Sequence, residues 1–141
     1  KVYGLDSNES YILKSRDKFS KNNTEYLHGT DKLLEKFTSI FNKVVSSHTL
    51  EHIDDDKLFL ERIRDSLISG GNLILEVPKL PLYPLGEPLY PFHKREYTIP
   101  NLESLLHETG FEIIEKYGGS RNEYVDIKNA RNVLLYICKK S

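Results

Sequence analysis

Short apolar runs and helix-patterned segments alternate along this chain, and that alternation restricts its fold more than any other feature. Residues 2–5, 24–28, 41–47 and 72–77 have the length and composition of strands, and 72–77 (Asn-Leu-Ile-Leu-Glu-Val) is the clearest of them. Between them, residues 9–23, 31–37 and 54–67 carry helical patterning. Asp54, Asp55 and Asp56 open the last of these at the positive end of its dipole, and Leu58, Ile63 and Leu67 mark its expected buried face. Gly70-Gly71 is read as its stop. Parallel neighbours need a long crossover, so the pattern predicts an α/β fold with a mostly parallel sheet flanked by helices. A helix over 101–109, closed by Gly110, leads to strands at 111–117 and 133–139, an antiparallel pair around the polar loop 118–132.

A length of 141 residues suits one domain. With 20 basic and 21 acidic side chains the net charge is −1, which argues against the basic face of a dedicated nucleic-acid binder. No apolar run approaches the roughly 18 residues of a membrane span. One cysteine, Cys138, excludes a disulfide framework and fits a reducing compartment. The sequence starts at Lys1 and holds no methionine, so it reads as an N-terminally incomplete fragment of a cytoplasmic protein.

Residues 78–100 interrupt the rhythm. They hold all six prolines (Pro78, Pro81, Pro84, Pro88, Pro91, Pro100), with Tyr83, Tyr90, Phe92, His93, Lys94, Arg95 and Tyr97 among them. A connection this long is read as a lid or substrate loop, and aromatics with convergent polar groups suit a small-molecule pocket. The plainer alternative is that the aromatics cover a sheet edge and that His93 is structural.

In open α/β sheets ligands bind at the carboxyl ends of the strands. Asp6 ends the first strand, where a carboxylate can accept from both hydroxyls of a ribose; otherwise it caps the next helix. Ser46-Ser47-His48-Thr49-Leu50-Glu51-His52 follows the third strand, and such polar residues are costly to bury without partners. His48, Glu51 and His52 also spell H-x-x-E-H, a zinc pattern when both imidazoles share a helix face. Here the preceding residues are strand-like and the clear helix begins near Asp54, so no metal is expected.

In this order the segments resemble the class I S-adenosylmethionine-dependent methyltransferases of the broad small-molecule group. Val2-Tyr3-Gly4-Leu5-Asp6-Ser7 resembles the second strand of that family, and residues 41–53, with Leu50-Glu51-His52, its fourth-strand motif. Residues 67–78 resemble the L-x-x-G-G-x-L entry into its fifth strand. His93-Lys94-Arg95-Glu96-Tyr97-Thr98, with Leu105-Leu106 and Gly110-Phe111, resembles its H-x-R-x-(F/Y)-(S/T) passage. Asn42 stands where Asp is common.

The resemblance implies a Rossmann-like sheet whose first strand and glycine-rich loop would lie upstream of Lys1. That strand belongs between the second and fourth, so its slot would be filled by upstream residues, a second copy or a rearranged sheet. It implies S-adenosylmethionine as cofactor, with Asp6 and Ser7 at the ribose, Thr30 and Asp31 at the adenine, and Ser46 and Ser47 at the methionine end. His48 and His93 are the candidate catalytic residues, as general base or acceptor ligands, for a small-molecule methyl acceptor. Glu51 and His52 are read as stabilising the turn. An inactive methyltransferase-like scaffold is the alternative, and neither nucleic-acid nor membrane partners are expected.

Overall fold

The computed structural model describes residues 1–79, 92–120 and 122–141. The heart of the expected lid, with Tyr83 and Tyr90, lies outside the described residues. Two compact units result, residues 1–36 and residues 37–141.

In the first unit, β1 (Val2–Asp6) and β2 (Thr24–His28) pair in parallel, from Val2 opposite Thr24 to Asp6 opposite His28. The crossover is α1 (Glu9–Phe19). Of Ser7 and Asn8, the two residues that the sequence offers as its cap besides Asp6, Asn8 is the N-cap, its side chain accepting from the Ser10 and Tyr11 amides. The helix stops short of the expected 22–23 because Ser20 is extended and Thr24 Oγ1 bonds both backbone groups of Lys21. Ile12 is the one fully buried hydrophobic side chain of this unit. A 3-10 turn, Asp31–Lys36, follows.

The second unit runs β3 (Phe41–Ser47), a 3-10 turn (Leu50–His52), α2 (Asp56–Ser66), β4 (Leu67–Pro78), α3 (Ile99–Glu108), β5 (Phe111–Ser120), β6 (Glu123–Asp126) and β7 (Val133–Lys140). Its sheet order is β3-β4-β7-β5-β6. β3 and β4 are parallel, whereas β7 is antiparallel to both β4 and β5, and β6 to β5. The α/β fold is therefore parallel from β3 to β4 and keeps a long crossover through α3 to β5, while β6 and β7 follow by short connections and run antiparallel to β5.

Three local expectations change. α2 ends at Ser66, whose hydroxyl donates to the Ile63 carbonyl, and Gly70-Gly71 instead belongs to β4. There Phe41 faces Leu67 while Lys43 faces Asn72, so a bulge takes up residues 68–71 and Gly70 adopts φ +70°. Second, Phe59, Leu60 and Ile63 form the buried stripe of α2, while Leu58 is exposed. Leu58 and Ile63 are five apart, a spacing that does not share a helical face. Third, the polar loop 118–132 contains β6. Gly118 lets the connection from β6 to β7 pack on β5, since a Cβ there would collide with Ala130.

α3 begins at Ile99 rather than Asn101. Thr98 is its N-cap, with Pro100 in the first turn where no amide partner is needed. Gly110 closes it at φ +83°, as expected. Among the described residues no helix is long and apolar enough to cross a membrane.

Candidate functional site

Each unit gathers polar residues at the carboxyl end of its parallel strands. In the first, Asp6 Oδ1 accepts from the Asn8 amide at 2.7 Å, and the Asp6 carbonyl accepts from the Gly29 amide at 3.0 Å. That second bond brings the Gly29-Thr30-Asp31 turn to the end of β1. The Ser7 carbonyl faces His28 Nε2 at 3.1 Å. Asp6, Ser7, Thr30 and Asp31 therefore share one rim, with Asp6 half-buried and Ser7 and Thr30 exposed.

In the second unit the chain leaves β3 through Ser46, Ser47 and His48. Ser46 is buried and its hydroxyl has no hydrogen-bond partner among the described residues. Ser47 Oγ donates to Glu76 Oε1 at 2.8 Å, from the strand position directly opposite. His48 adopts φ +47°, a left-handed conformation that strains a side chain with a Cβ. In that position its ring stands between two carboxylates, Nδ1 3.4 Å from Glu51 Oε1 and Nε2 3.3 Å from Glu76 Oε1. Tyr124, from β6, donates to Glu76 Oε2 at 2.8 Å, and this hydrogen bond raises the phenol's pKa.

Glu51 is completely buried, and neither carboxylate oxygen has a hydrogen-bond partner among the described residues. His52 lies beside it, Nε2 3.8 Å from Oε1, while His52 Nδ1 meets the Phe92 carbonyl at 2.9 Å. The His52 and His93 rings are edge to face, centroids 4.9 Å apart. His93 Nδ1 lies 2.9 Å from Glu96 Oε1.

The motif around His93 is a clamp more than a pocket lining. The Lys94 amide donates to the Glu51 carbonyl at 2.7 Å, and Arg95 donates to the carbonyls of Ile53 and Asp54, each at 2.7 Å. Tyr97 is buried and donates to Asp56 Oδ2 at 2.9 Å; burial and the adjacent carboxylate push its pKa upward. Segment 93–97 is thus stitched along the turn after β3.

His48 and His93, paired as catalytic candidates, do come to one cluster, joined through Glu51 and His52. Glu76 and Tyr124 were not singled out from the sequence. Glu76 had a legible signal, an acidic residue at the carboxyl end of an otherwise apolar strand; Tyr124 had none, because β6 itself was unseen. The H-x-x-E-H pattern does not form a helical pair, since residues 50–52 make only a single 3-10 turn.

A sequence model described as a methyltransferase domain matches residues 1–116, across both units. The chain belongs to that family. A Mycolicibacterium smegmatis protein named probable S-adenosylmethionine-dependent methyltransferase is 28% identical over 120 residues, 84% of this chain and 46% of the relative. The chain thus spans less than half the length of the curated relative it matches. Among solved structures, a Listeria monocytogenes protein named for S-adenosylmethionine-dependent methyl transfer superposes with a TM-score of 0.79 at 18% identity, covering 100% of this chain and 80% of that one. The 1,6-didemethyltoxoflavin-N1-methyltransferase of Burkholderia thailandensis, solved with 1,6-didemethyltoxoflavin and S-adenosylhomocysteine, superposes with a TM-score of 0.73 at 17% identity, covering 99% and 60%. At these identities the solved structures establish the methyltransferase fold.

Proposed function

We propose that this chain acts within an S-adenosylmethionine-dependent methyltransferase whose acceptor is a small molecule. The observation that carries the reading is the family match together with the polar rims at the ends of β1, β2 and β3, where ligands bind in such sheets. The residues present suit the cofactor. Asp6 keeps its second oxygen for ribose hydroxyls, Ser7 and the Thr30-Asp31 turn lie on the same rim for ribose and adenine, and the buried Ser46 hydroxyl lacks a partner that a ligand would supply. Ser46 and Ser47 border the methionine end. When bound, the cofactor supplies an electrophilic methyl on sulfonium sulfur, so the protein has to align the acceptor and remove its proton.

His48 suits proton removal: its ring is half exposed and held between Glu51 and Glu76. His93 positions the acceptor, its own orientation set by Glu96. We further propose that the two units serve as one domain, that residues 78–100 form the acceptor lid, and that the protein works in the cytoplasm, where the buried free Cys138 stays reduced. An upstream segment or a second copy completes the sheet; the outer edges of β1 and β3 carry no strand among the described residues.

Calorimetric titration of S-adenosylhomocysteine into the complete protein tests the reading. Micromolar binding is expected, weakened in Asp6→Ala by about 1–3 kcal/mol as buried partners lose their acceptor. Unchanged binding in that variant would overturn the ribose assignment. His93→Ala should lower turnover more than cofactor affinity, and a pure affinity loss would remove His93 from the acceptor.

A further inference from the structure

We infer that Glu51, His52 and His93 form a binding site for a divalent metal ion of the zinc class. One ligand atom from each can be chosen so that all lie within 4.8 Å of one another. Two imidazoles and one carboxylate are a common donor set for catalytic zinc, which leaves at least one position open to an exogenous oxygen. His52 Nε2 and Glu51 Oε1, 3.8 Å apart, already approach the roughly 3.4 Å that separates neighbouring ligands around zinc.

The ring nitrogens show how these histidines are prepared. A carbonyl only accepts, so the 2.9 Å contact between His52 Nδ1 and the Phe92 oxygen places a proton on Nδ1. The contact of His93 Nδ1 with the nearly buried Glu96 carboxylate does the same. In the neutral form each ring then carries its lone pair on Nε2. Metal-ligating histidines are held in this way, the other nitrogen donating to a carbonyl or carboxylate that fixes tautomer and ring orientation.

Glu51 supplies an independent reason. A fully buried carboxylate without hydrogen bonds is expensive unless something positive compensates it. The His48 and His52 nitrogens, at 3.4 and 3.8 Å, stand close without making hydrogen bonds, and a cation shared by Glu51, His52 and His93 would satisfy it. His52 is 42% exposed, so the site has an entry path from solvent. The pair differs from the one that the H-x-x-E-H spacing suggests: His52 joins His93, while His48 turns toward Glu76. A metal here would hold an oxygen donor such as a phenolate or carboxylate of the acceptor in its open position, and His93 would then act on the acceptor through the metal.

The experiment titrates Zn²⁺ into the metal-depleted, tag-free complete protein by competition with a chelating dye. Cofactor and acceptor are absent, so the outcome is separate from that of methyl transfer. One equivalent is expected, weakened at least tenfold in His52→Ala, His93→Ala and Glu51→Gln, and roughly 10–100-fold in Glu96→Gln, which takes the charge from the carboxylate that orients His93. Absence of stoichiometric Zn²⁺ binding overturns the site, as does tight binding retained in the His52→Ala/His93→Ala double variant. If those variants fail to fold, the unaltered protein decides alone. Co²⁺ should give the intense visible bands of a low-coordinate, histidine-bound ion, and a spectrum of hydrated Co²⁺ overturns the proposal.

Discussion

Residues 1–36 bury one hydrophobic side chain completely, Ile12, whereas sixteen are buried among the described residues of 37–141. Both units end parallel strands in a polar rim, yet the rims are held by different means. The first relies on backbone pairing, the exposed Asn8 cap and the exposed Arg16 guanidinium on the Tyr26 carbonyl. The second rests on a dense core in which Leu50, beside Glu51, is fully buried. A piece of about 36 residues cannot bury enough apolar surface to be rigid alone, so its binding residues are held by local hydrogen bonds. In the larger unit packing can hold a strained His48 and a buried charge, which would relax in a looser setting.

Core truncation should separate the units most sharply. Leu75→Ala should cost about 3–5 kcal/mol in urea unfolding, and Ile12→Ala about 2 kcal/mol at the less crowded site. Equal losses would break the comparison. Hydrogen exchange should agree, with the β1 and β2 amides exchanging before those of β4 and β7.

Alkaline titration gives the next effect. Burial pushes the Cys138 thiol from 9.0 up to about 12. The stability this represents is whole below pH 9 and is lost as pH rises toward 12, because only the unfolded chain then ionises readily. By pH 11 the loss should be about 2–3 kcal/mol, and Cys138→Ala should flatten that part of the profile. Since Cys138 lies in β7, the loss should appear in probes of the second unit.

Gly118→Ala should cost about 1–3 kcal/mol, as its Cβ would meet Ala130 backbone as well as side chain. The effect should stay within the second unit and free Tyr124 from Glu76, visible as a phenol titrating nearer its ordinary value of 10.0. Smallest is Asn8→Ala, about 1 kcal/mol from the lost helix cap, confined to the first unit. Should Asn8→Ala also weaken S-adenosylhomocysteine, the cap would be shown to position Asp6, whose carboxylate accepts from the Asn8 amide.

The sequence by itself determined the order of elements, the parallel half of the sheet, the Gly110 stop and the polar strand ends from Asp6 to His48. These follow from short-range rules: apolar period, caps, and the fact that a strand must end where polar residues gather. Even there, Leu58 was misplaced because apolar residues adjacent in sequence leave the exact helical face undecided. The bulge at Gly70, the hairpin that carries Tyr124, and the meeting of Glu51 and His52 with His93 were decided only by tertiary structure. The bulge depends on register with β3, the hairpin on the pairing of β5 with β6, and the histidine pair on a segment about forty residues downstream clamped by Lys94 and Arg95. Contacts of that range are set by which strands lie side by side, and no local pattern of residues encodes them.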